Sequence, residues 1–402
     1  MKNRSALTLI FLTVFIDLLG FGILIPILPS FSVKVLHITD TQIGIAIALY
    51  SFMQFLFNPI LGRISDKHGR KPVIVACLFL NVIGYLIFSF TNSFFILILS
   101  RVVGGLGGSS VAVALAYIAD VTDQENRSRG MGIIGAAFGL GFVFGPLMGG
   151  LLSTYGYPAI GYVAAGFSFM AFIVTILFLP ESLKKDKSHH IIPDLTKKRK
   201  IFDFKAVRNI IKNRELLLLI FLFFVITFSF ANIYGTFALL GLKVYGFTDR
   251  QNGYVFGIIG LTSAIIQGGL LGRINKAMNK KVIIIIASFI MSITLFLIPY
   301  AGNFVGLAVV SIFLAYGTAT FQPTVLSLSS EVTPPTEQGM TLGVNQSLSS
   351  LARVLGPLWG GFAFQYLGYA FPFVTGGIFT FFIFLVAVFY LPKKLKLKKQ
   401  FK

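Results

Sequence analysis

The sequence contains few of the groups on which soluble enzymes and metalloproteins depend. A single cysteine, Cys77, excludes a disulfide framework, a cysteine-based metal cluster and a redox pair. The four histidines do not cluster within an apolar stretch, and no nucleotide-binding loop is present. Charged residues make up 12% of the 402 positions, about half of what a water-soluble domain carries. We therefore expect neither an enzyme nor a bound cofactor or metal.

Apolar residues are abundant instead, at 55% of the chain, with a mean hydropathy of +0.84. Apolar stretches of about 20 residues cross a bilayer as helices, because helices satisfy their own backbone hydrogen bonds. The sequence predicts twelve such spans: 7–31, 41–62, 72–91, 94–119, 130–153, 158–180, 215–242, 251–273, 280–300, 303–330, 338–366 and 370–392.

The net charge of +20 raises the possibility of nucleic-acid binding, but the distribution of the charge argues against it. If the N-terminus lies inside and the chain alternates, the inner segments hold 29 of the 34 Lys and Arg residues and the outer segments hold three. This is the positive-inside pattern. It predicts an inner (cytoplasmic) membrane protein with both termini in the cytoplasm. The first apolar run contains Asp17 and two prolines, so we expect a retained span rather than a cleaved signal.

Three short motifs recur in order at nearly one spacing. LGRI at 61–64 returns at 271–274, ADVTD at 119–123 is similar to SEVTP at 330–334, and GPLMGG at 145–150 is similar to GPLWGG at 356–361. An even number of spans in each copy predicts a parallel repeat about an axis along the membrane normal. We expect a six-helix half at 1–183, a basic cytoplasmic linker at 184–214 and a second six-helix half at 215–402.

Three motifs resemble those of a known family. The segment between the second and third spans carries a glycine, basic and acidic pattern, the fourth span carries an arginine with glycines, and the fifth carries spaced glycines with a proline. The residues are Gly62, Arg63, Asp66, Gly69, Arg70 and Lys71; Arg101, Gly105 and Gly107; and Gly141, Gly145, Pro146, Gly149 and Gly150. On these motifs the chain resembles the major facilitator superfamily, specifically its twelve-helix drug–proton antiporters and their tetracycline-efflux-like branch. The resemblance implies an all-α membrane fold of two six-helix halves.

The resemblance also implies a gating latch at 58–72 that holds the cytoplasmic side shut while the protein faces outward. In this interpretation Asp66 approaches the N-terminus of the eleventh span, where a helix favours an anion, and Arg70 pairs with Asp120. The alternative is a turn whose cations only fix the orientation of the chain. The second copy has Asn275 and Lys276 after LGRI, so we expect the latch to differ between the halves.

Of fourteen acidic residues, Asp17 alone falls well inside a span. It lies about ten residues from Leu7, roughly 15 Å into the membrane. A charged group there indicates function, and burial favours the protonated form of a carboxyl group, so we predict proton coupling or substrate contact. The alternative is a structural role, paired with a cation or capping backbone near Gly20. The resemblance assigns Arg101 to proton transfer; it could instead donate to carbonyls of the first span.

Several polar residues in the spans are candidates for lining a substrate cavity, and each could instead make a hydrogen bond between packed helices. They are Tyr50, Gln54, Asn58, Asn232, Gln267, Gln322, Gln346 and Arg353. Arg353 could orient an anionic substrate or neutralise Asp17. Gly84 occupies the place of a second acid found in tetracycline carriers, so exchange of a metal–tetracycline complex is not expected. An amphipathic or cationic organic compound fits a single carboxylate better.

We therefore expect a proton-coupled antiporter that exports small amphipathic compounds by alternating access. Its partners would be a small-molecule substrate, protons and the lipid bilayer, with no nucleic acid, and it would act as a monomer. An uptake symporter for a nutrient or metabolite is the alternative, slightly favoured by Arg353 if that substrate is an anion. A transporter-like receptor is a third possibility, against which the intact latch residues argue.

Overall fold

The computed structural model describes residues 4–122, 127–183, 213–333 and 338–391. Every regular element in these ranges is helical, and each of the twelve predicted spans coincides with one helix, numbered α1 to α12 below. Most of the predicted linker, 184–212, lies outside the described residues. So do the basic residues that follow position 392 and part of the first ADVTD-like repeat.

Eleven of the helices combine a membrane-spanning length with an apolar composition. The remaining one, Gln338–Tyr366, has the length but carries several polar side chains in its first half. The helices are α1, Arg4–Leu24 with Ile27–Lys34; α2, Asp40–His68; α3, Arg70–Ser89; α4, Phe94–Gly107 with Ser110–Val121; α5, Arg127–Leu152; α6, Tyr157–Phe178; α7, Arg214–Lys243; α8, Asp249–Ile265 with Leu271–Ala277; α9, Lys280–Leu297; α10, Phe304–Glu331; α11, Gln338–Tyr366; and α12, Phe371–Phe389.

Three of the helices are interrupted within their spans. α1 breaks before Ile27, where Pro26 has no backbone N–H to donate. α4 breaks at Gly108 and Ser109, so that a second helical segment begins at Ser110. α8 contains a π-helical turn at Ile266–Leu270, a form that is frequent at functional sites.

The helices pack in two sets of six. In the first set α1 contacts α5 and α6, and α3 contacts α4 and α6; in the second, α7 contacts α11 and α12, and α9 contacts α10 and α12. The sets meet along two helix pairs, α2 with α11 and α5 with α8. Glycines allow the backbones to approach there: a Cβ on Gly44 would lie 3.2 Å from the Cα of Gly361, and one on Gly253 would lie 2.9 Å from the Cα of Gly150.

These contacts lie at one end of the bundle. We call the end that carries Arg63 to Lys71 and Arg273 to Lys281 the basic end, and the other the opposite end. The close glycine contacts at Gly44 and Gly150 are near the opposite end. Towards the basic end, the same four helices carry glycines with no atom within 4 Å of where a Cβ would sit: Gly62, Gly135, Gly139, Gly268, Gly269, Gly272 and Gly343. The two sets therefore touch at the opposite end and separate towards the basic end.

The helices α2 and α8 begin in the same way. The Thr39 side chain accepts from the backbone of Gln42, whose side chain accepts from the backbone of Thr39. Thr248 and Gln251 form the same capping box at the start of α8. The two boxes correspond to each other in the sequence repeat, so both helices are fixed at the opposite end by matching residues.

Candidate functional site

The acid that we predicted to be functional, Asp17, lies inside the first helix set and is 4% exposed. Its Oδ1 accepts from Asn81 Nδ2 at 2.7 Å and from Ser168 Oγ at 3.3 Å. Its Oδ2 accepts from Ser110 Oγ at 2.8 Å. The carboxylate therefore joins α1 to α3, α4 and α6 through neutral donors, and no described Lys or Arg forms an ion pair with it.

The break in α4 determines how this shell of hydrogen-bond donors around Asp17 is arranged. Ser110 is the first residue of the second α4 segment, so the amino-terminal end of that segment lies beside the carboxylate. A helix amino terminus carries partial positive charge, which stabilises an anion without a formal cation. Hydroxyl and amide groups can also both donate and accept, so the same shell can hold a carboxylate or a carboxylic acid. The residues that surround Asp17 were not predicted from the sequence.

Two buried arginines lie in the spans, one in each helix set. Arg101 is 5% exposed; its Nε donates to Ser100 at 3.2 Å, and its guanidinium carbon lies 5.6 Å from the centre of the Phe88 ring. Arg353 donates to two serines one turn earlier in α11, at 3.2 and 3.1 Å. Among the described residues neither arginine pairs with a carboxylate, and no hydrogen bond joins Arg101 to a carbonyl of α1. Two positive charges thus lack an acidic partner in the part of the chain that the structure describes.

Tyr50 of α2 connects these groups. Its ring stacks on Phe21 of α1 with centroids 5.0 Å apart, and its side chain is 9% exposed. Asp17, Arg101 and Arg353 all lie within electrostatic range of its hydroxyl. The ionisable groups predicted inside the spans therefore share one neighbourhood, next to the contact between α2 and α11.

Two of the predicted cavity residues hold helices together. Gln54 donates to the carbonyl of Gly108 at 3.0 Å, a carbonyl exposed by the break in α4. Asn232 is fully buried and donates to the carbonyl of Pro372 in α12. For these two, the observed contacts match the alternative of a hydrogen bond between packed helices.

The other polar candidates make fewer hydrogen bonds to described residues. Gln267, in the π-helical turn of α8, and Gln346 in α11 are exposed, and Gln322 is half-buried. None of the three has a side-chain hydrogen bond to a described residue. The Oδ1 of Asn58 is buried and also without a described partner. For these four side chains, a role in lining a cavity stays a prediction.

The glycines of α5 contact α1 on one face and α8 on the other. A Cβ on Gly145 would lie 2.6 Å from the Cα of Gly22 in α1. A Cβ on Gly150 would lie 3.1 Å from the Cα of Gly253 in α8. The rest of the motif continues these faces, with Gly141 and Gly149 towards α1 and Pro146 towards α8. Helix α5 therefore connects the helix that carries Asp17 to the second helix set.

At the basic end, Arg70 is the centre of the predicted latch. It is 7% exposed and pairs with Asp66 at 2.5 Å and with Asp120 at 2.9 Å, and it donates to Ser65 at 2.7 Å. The predicted Arg70–Asp120 pair is therefore present. Residues 334–337, which precede α11, lie outside the described residues, so the contact of Asp66 with that helix stays a prediction. Gly62 and Arg63 lie one turn earlier in α2, and the Arg63 side chain is exposed.

Glu181, which we did not predict, completes this cluster. Its two carboxylate oxygens accept from the backbone N–H groups of Arg70 at 2.9 Å and Lys71 at 3.1 Å. An acid at this position stabilises the amino terminus of α3. Gly69, which separates α2 from α3, has a φ of +106°, a conformation that favours glycine. In the sequence, the PES segment at 180–182 could have indicated Glu181.

The second helix set retains part of this arrangement. Lys280 pairs with Glu331, and it donates to Ser327 at 2.7 Å. Lys280 corresponds in the repeat to Arg70, and Glu331 corresponds to Asp120. Lys276 stands in place of the acid that corresponds to Asp66, as the sequence indicates, so this position changes from a negative to a positive charge between the copies.

Two ion pairs cross between the helix sets at the opposite end, and neither was predicted. Lys34 at the end of α1 pairs with Asp249 at the start of α8 at 3.1 Å, and Lys243 at the end of α7 pairs with Asp40 at the start of α2 at 2.6 Å. Tyr157 also donates to Asp249 at 2.8 Å. The pairs are reciprocal, because each lysine precedes a TDxQxG sequence, at 39–44 and 248–253. That duplicated sequence was the available signal for these crossed ion pairs.

Comparisons with known proteins agree with one family. The sequence model of the Major Facilitator Superfamily matches residues 10–304 and 268–402. Multidrug resistance protein 2 of Bacillus subtilis (strain 168) is 27% identical over 94% of this chain and 92% of its own. Tetracycline resistance protein, class C, of Escherichia coli is 30% identical over 89% of each chain. The crystal structure of the human organic anion transporter MFSD10 is 25% identical, covers 96% of this chain and all of its own, and has a TM-score of 0.70.

Proposed function

Because the chain belongs to the Major Facilitator Superfamily, we propose that it is a proton-coupled antiporter that exports small amphipathic organic compounds. The homologues and the fold are those of multi-pass membrane transporters and not of enzymes. Relatives named for multidrug and tetracycline resistance support an organic substrate. We infer that the protein acts as a monomer in the inner membrane with its basic end in the cytoplasm.

The observation that carries the proposal is the position of Asp17. An acid buried among helices is costly, and such residues mark proton or ion pathways. Its partners are groups that can reverse their hydrogen bonds, which suits reversible protonation. A membrane potential of about 100 mV acts on one charge with about 2.3 kcal/mol, enough to bias transport. Protonation from outside and substrate binding from the cytoplasm would then favour opposite orientations of the protein.

Alternating access follows from the two ends of the bundle. With the basic end in the cytoplasm, the described arrangement is closed to the outside and open to the inside. The crossed ion pairs and the glycine contacts of α2–α11 and α5–α8 would form the outer closure. In the outward-facing state these contacts would separate, and the latch around Arg70 and Asp66 would close the cytoplasmic side.

Helix α5 provides a route for coupling. Asp17 lies on α1, whose Gly22 packs against Gly145 of α5, and α5 in turn packs against α8 through Gly150. A change in the charge of Asp17 would alter the packing of α1, and α5 would transmit that change to the second helix set. We infer that the spaced glycines of α5 serve this contact.

A second candidate function is uptake of an organic anion together with a proton. Arg101 and Arg353 lack an acidic partner among the described residues, and their charge favours an anionic group. An anion and a proton on Asp17 would favour each other's binding by Coulomb attraction, which suits symport rather than antiport. The relative described as a human organic anion transporter supports this substrate class.

The direction of proton movement distinguishes the two candidates. Everted membrane vesicles with no imposed gradient would receive ethidium as the cationic probe or anilinonaphthalene sulfonate as the anionic probe. Antiport makes the vesicle lumen alkaline as the probe enters, whereas symport makes it acidic. Vesicles without the protein correct for passive movement. Entry of a probe above that control without any change in lumen pH would overturn proton coupling.

A further inference from the structure

The side-chain amide of Asn81 is only half satisfied. Its Nδ2 donates to Asp17 at 2.7 Å, while its Oδ1 is buried and has no hydrogen-bond partner among the described residues. The residue is 2% exposed. A buried carbonyl without a partner is unfavourable, and in a native structure it needs an explanation.

The surroundings explain why the oxygen stays free. Asn81 Oδ1 faces Gly107, at the point where α4 breaks, and it occupies the space that a Cβ on Gly107 would need. The oxygen and nitrogen of an amide are nearly equal in size, and their assignment follows from the hydrogen bonds that are made. A half-turn of the amide would therefore place the oxygen against Asp17 without requiring more room.

The two protonation states of Asp17 need different partners. The ionised carboxylate accepts three hydrogen bonds, from Asn81, Ser110 and Ser168. The protonated acid must donate one. Asn81 Oδ1 makes no hydrogen bond to a described residue, whereas the hydroxyls of Ser110 and Ser168 already bond to Asp17. We propose that Asn81 is a positioning residue for the proton: its amide donates to the ionised Asp17 and turns to accept from the protonated one. This inference rests on the proposed function, because it assumes that Asp17 exchanges a proton.

The other ionisable groups near Asp17 do not replace Asp17 as the group that exchanges a proton. Cys77 and Tyr85 of α3 and Tyr50 of α2 lie within electrostatic range of it, and Arg101 of α4 acts on both tyrosines. The described parts of α5 and α6 bring no charged side chain to this neighbourhood. A Cys77→Ala background removes the thiol, and the tyrosines and the arginine keep their protons near neutral pH.

Infrared titration of the full-length protein in lipid tests the inference without a substrate. The band of a protonated carboxyl group that disappears in Asp17→Asn belongs to Asp17. We expect Asn81→Leu to raise the midpoint of that band by about one pH unit, since the hydrogen bond lost from the ionised form is stronger than the one lost from the acid. Asn232→Leu is the matched control, because the buried Oδ1 of Asn232 likewise has no partner among the described residues, while its Nδ2 donates to a carbonyl that does not titrate.

A second readout reports the rotation itself. With isotope-labelled asparagine, the difference spectrum between acidic and alkaline pH should contain a side-chain amide band that is lost in Asn81→Leu and in Asp17→Asn. An unchanged midpoint in Asn81→Leu, or no such amide band, overturns the inference while leaving proton coupling intact. Absence of a titrating Asp17 band in the wild type overturns proton coupling itself. Asn81→Ala serves if the leucine variant does not fold.

Discussion

The crossed ion pairs make a quantitative prediction about the orientation of the transporter. Replacing Lys34 and Lys243 together by glutamine removes both pairs and leaves Asp249 and Asp40 in place. Because the pairs join the two helix sets at the opposite end, they stabilise the arrangement that is closed there. Their loss should shift the population towards the arrangement that is open at this end.

The magnitude follows from burial. The aspartate side chains are 9% and 8% exposed and the lysines 41% and 36%, so each pair lies between an exposed and a buried salt bridge. Exposed pairs contribute up to about 1 kcal/mol, and removing one partner of a buried pair costs about 3–5 kcal/mol. Asp249 keeps the hydroxyl of Tyr157, and both acids keep their places in the first turn of a helix, which lowers the cost. We expect about 1–1.5 kcal/mol for each pair, and so a shift of about 30- to 150-fold in the closed-to-open ratio.

Distances between spin labels at the opposite end measure this ratio. Tyr155, 81% exposed, and Tyr300, 67% exposed, end short 3₁₀ turns in different helix sets and can be replaced by labelled cysteines in a Cys77→Ala background. The double glutamine variant should gain a population at longer distance. Arg250→Gln is the matched control, since Arg250 lies beside Asp249 but contacts Tyr254 rather than an acid. Wild-type distances in the double variant, or an equal change in the control, would show that the ion pairs do not set this ratio.

Two further predictions concern helix packing and substrate charge. Gly145→Leu should prevent the contact of α1 with α5 and strongly reduce the yield of folded protein in size-exclusion chromatography. Gly139→Leu should not reduce the yield, because a side chain there meets open space. Equal yields of the two variants would contradict the role of Gly145 in packing. Arg353→Gln should weaken binding of anilinonaphthalene sulfonate by about 10-fold or more in a fluorescence titration. Arg353→Lys should recover part of this binding, and neither variant should lose binding of ethidium. Unchanged binding of the anion would show that Arg353 is not part of the site.

The superfamily, the all-helical fold and the twelve spans could be predicted from the sequence, and the comparisons confirm the family and fold. This succeeded because lipid imposes one requirement on every segment, and because the repeat and the charge distribution are visible in the chain itself. Asp17 was identifiable because acids are rare in the spans. Its role, like that of Arg101 and of the cavity residues, stays a prediction.

The partners of Asp17 could not be predicted. Asn81, Ser110 and Ser168 are ordinary residues in three different helices, and only the packing of those helices brings them to one carboxylate. Tertiary contacts likewise give Gln54 its partner, the carbonyl of Gly108 at the break in α4.

The crossed ion pairs could not be predicted from the sequence either. Lys34 and Lys243 resemble loop residues that flank a span, and their pairing depends on how the two helix sets meet. The duplicated TDxQxG sequences show that the two positions correspond, but not that each lysine reaches the other half's aspartate. That information lies in the register between the sets rather than within either of them.

The most direct test of proton coupling is uphill transport by Asp17→Asn in proteoliposomes that contain one probe compound and an imposed pH gradient. We expect this variant to lose accumulation driven by the gradient but still to exchange labelled for unlabelled probe, since the exchange needs no net proton movement. Accumulation at the wild-type level would contradict it.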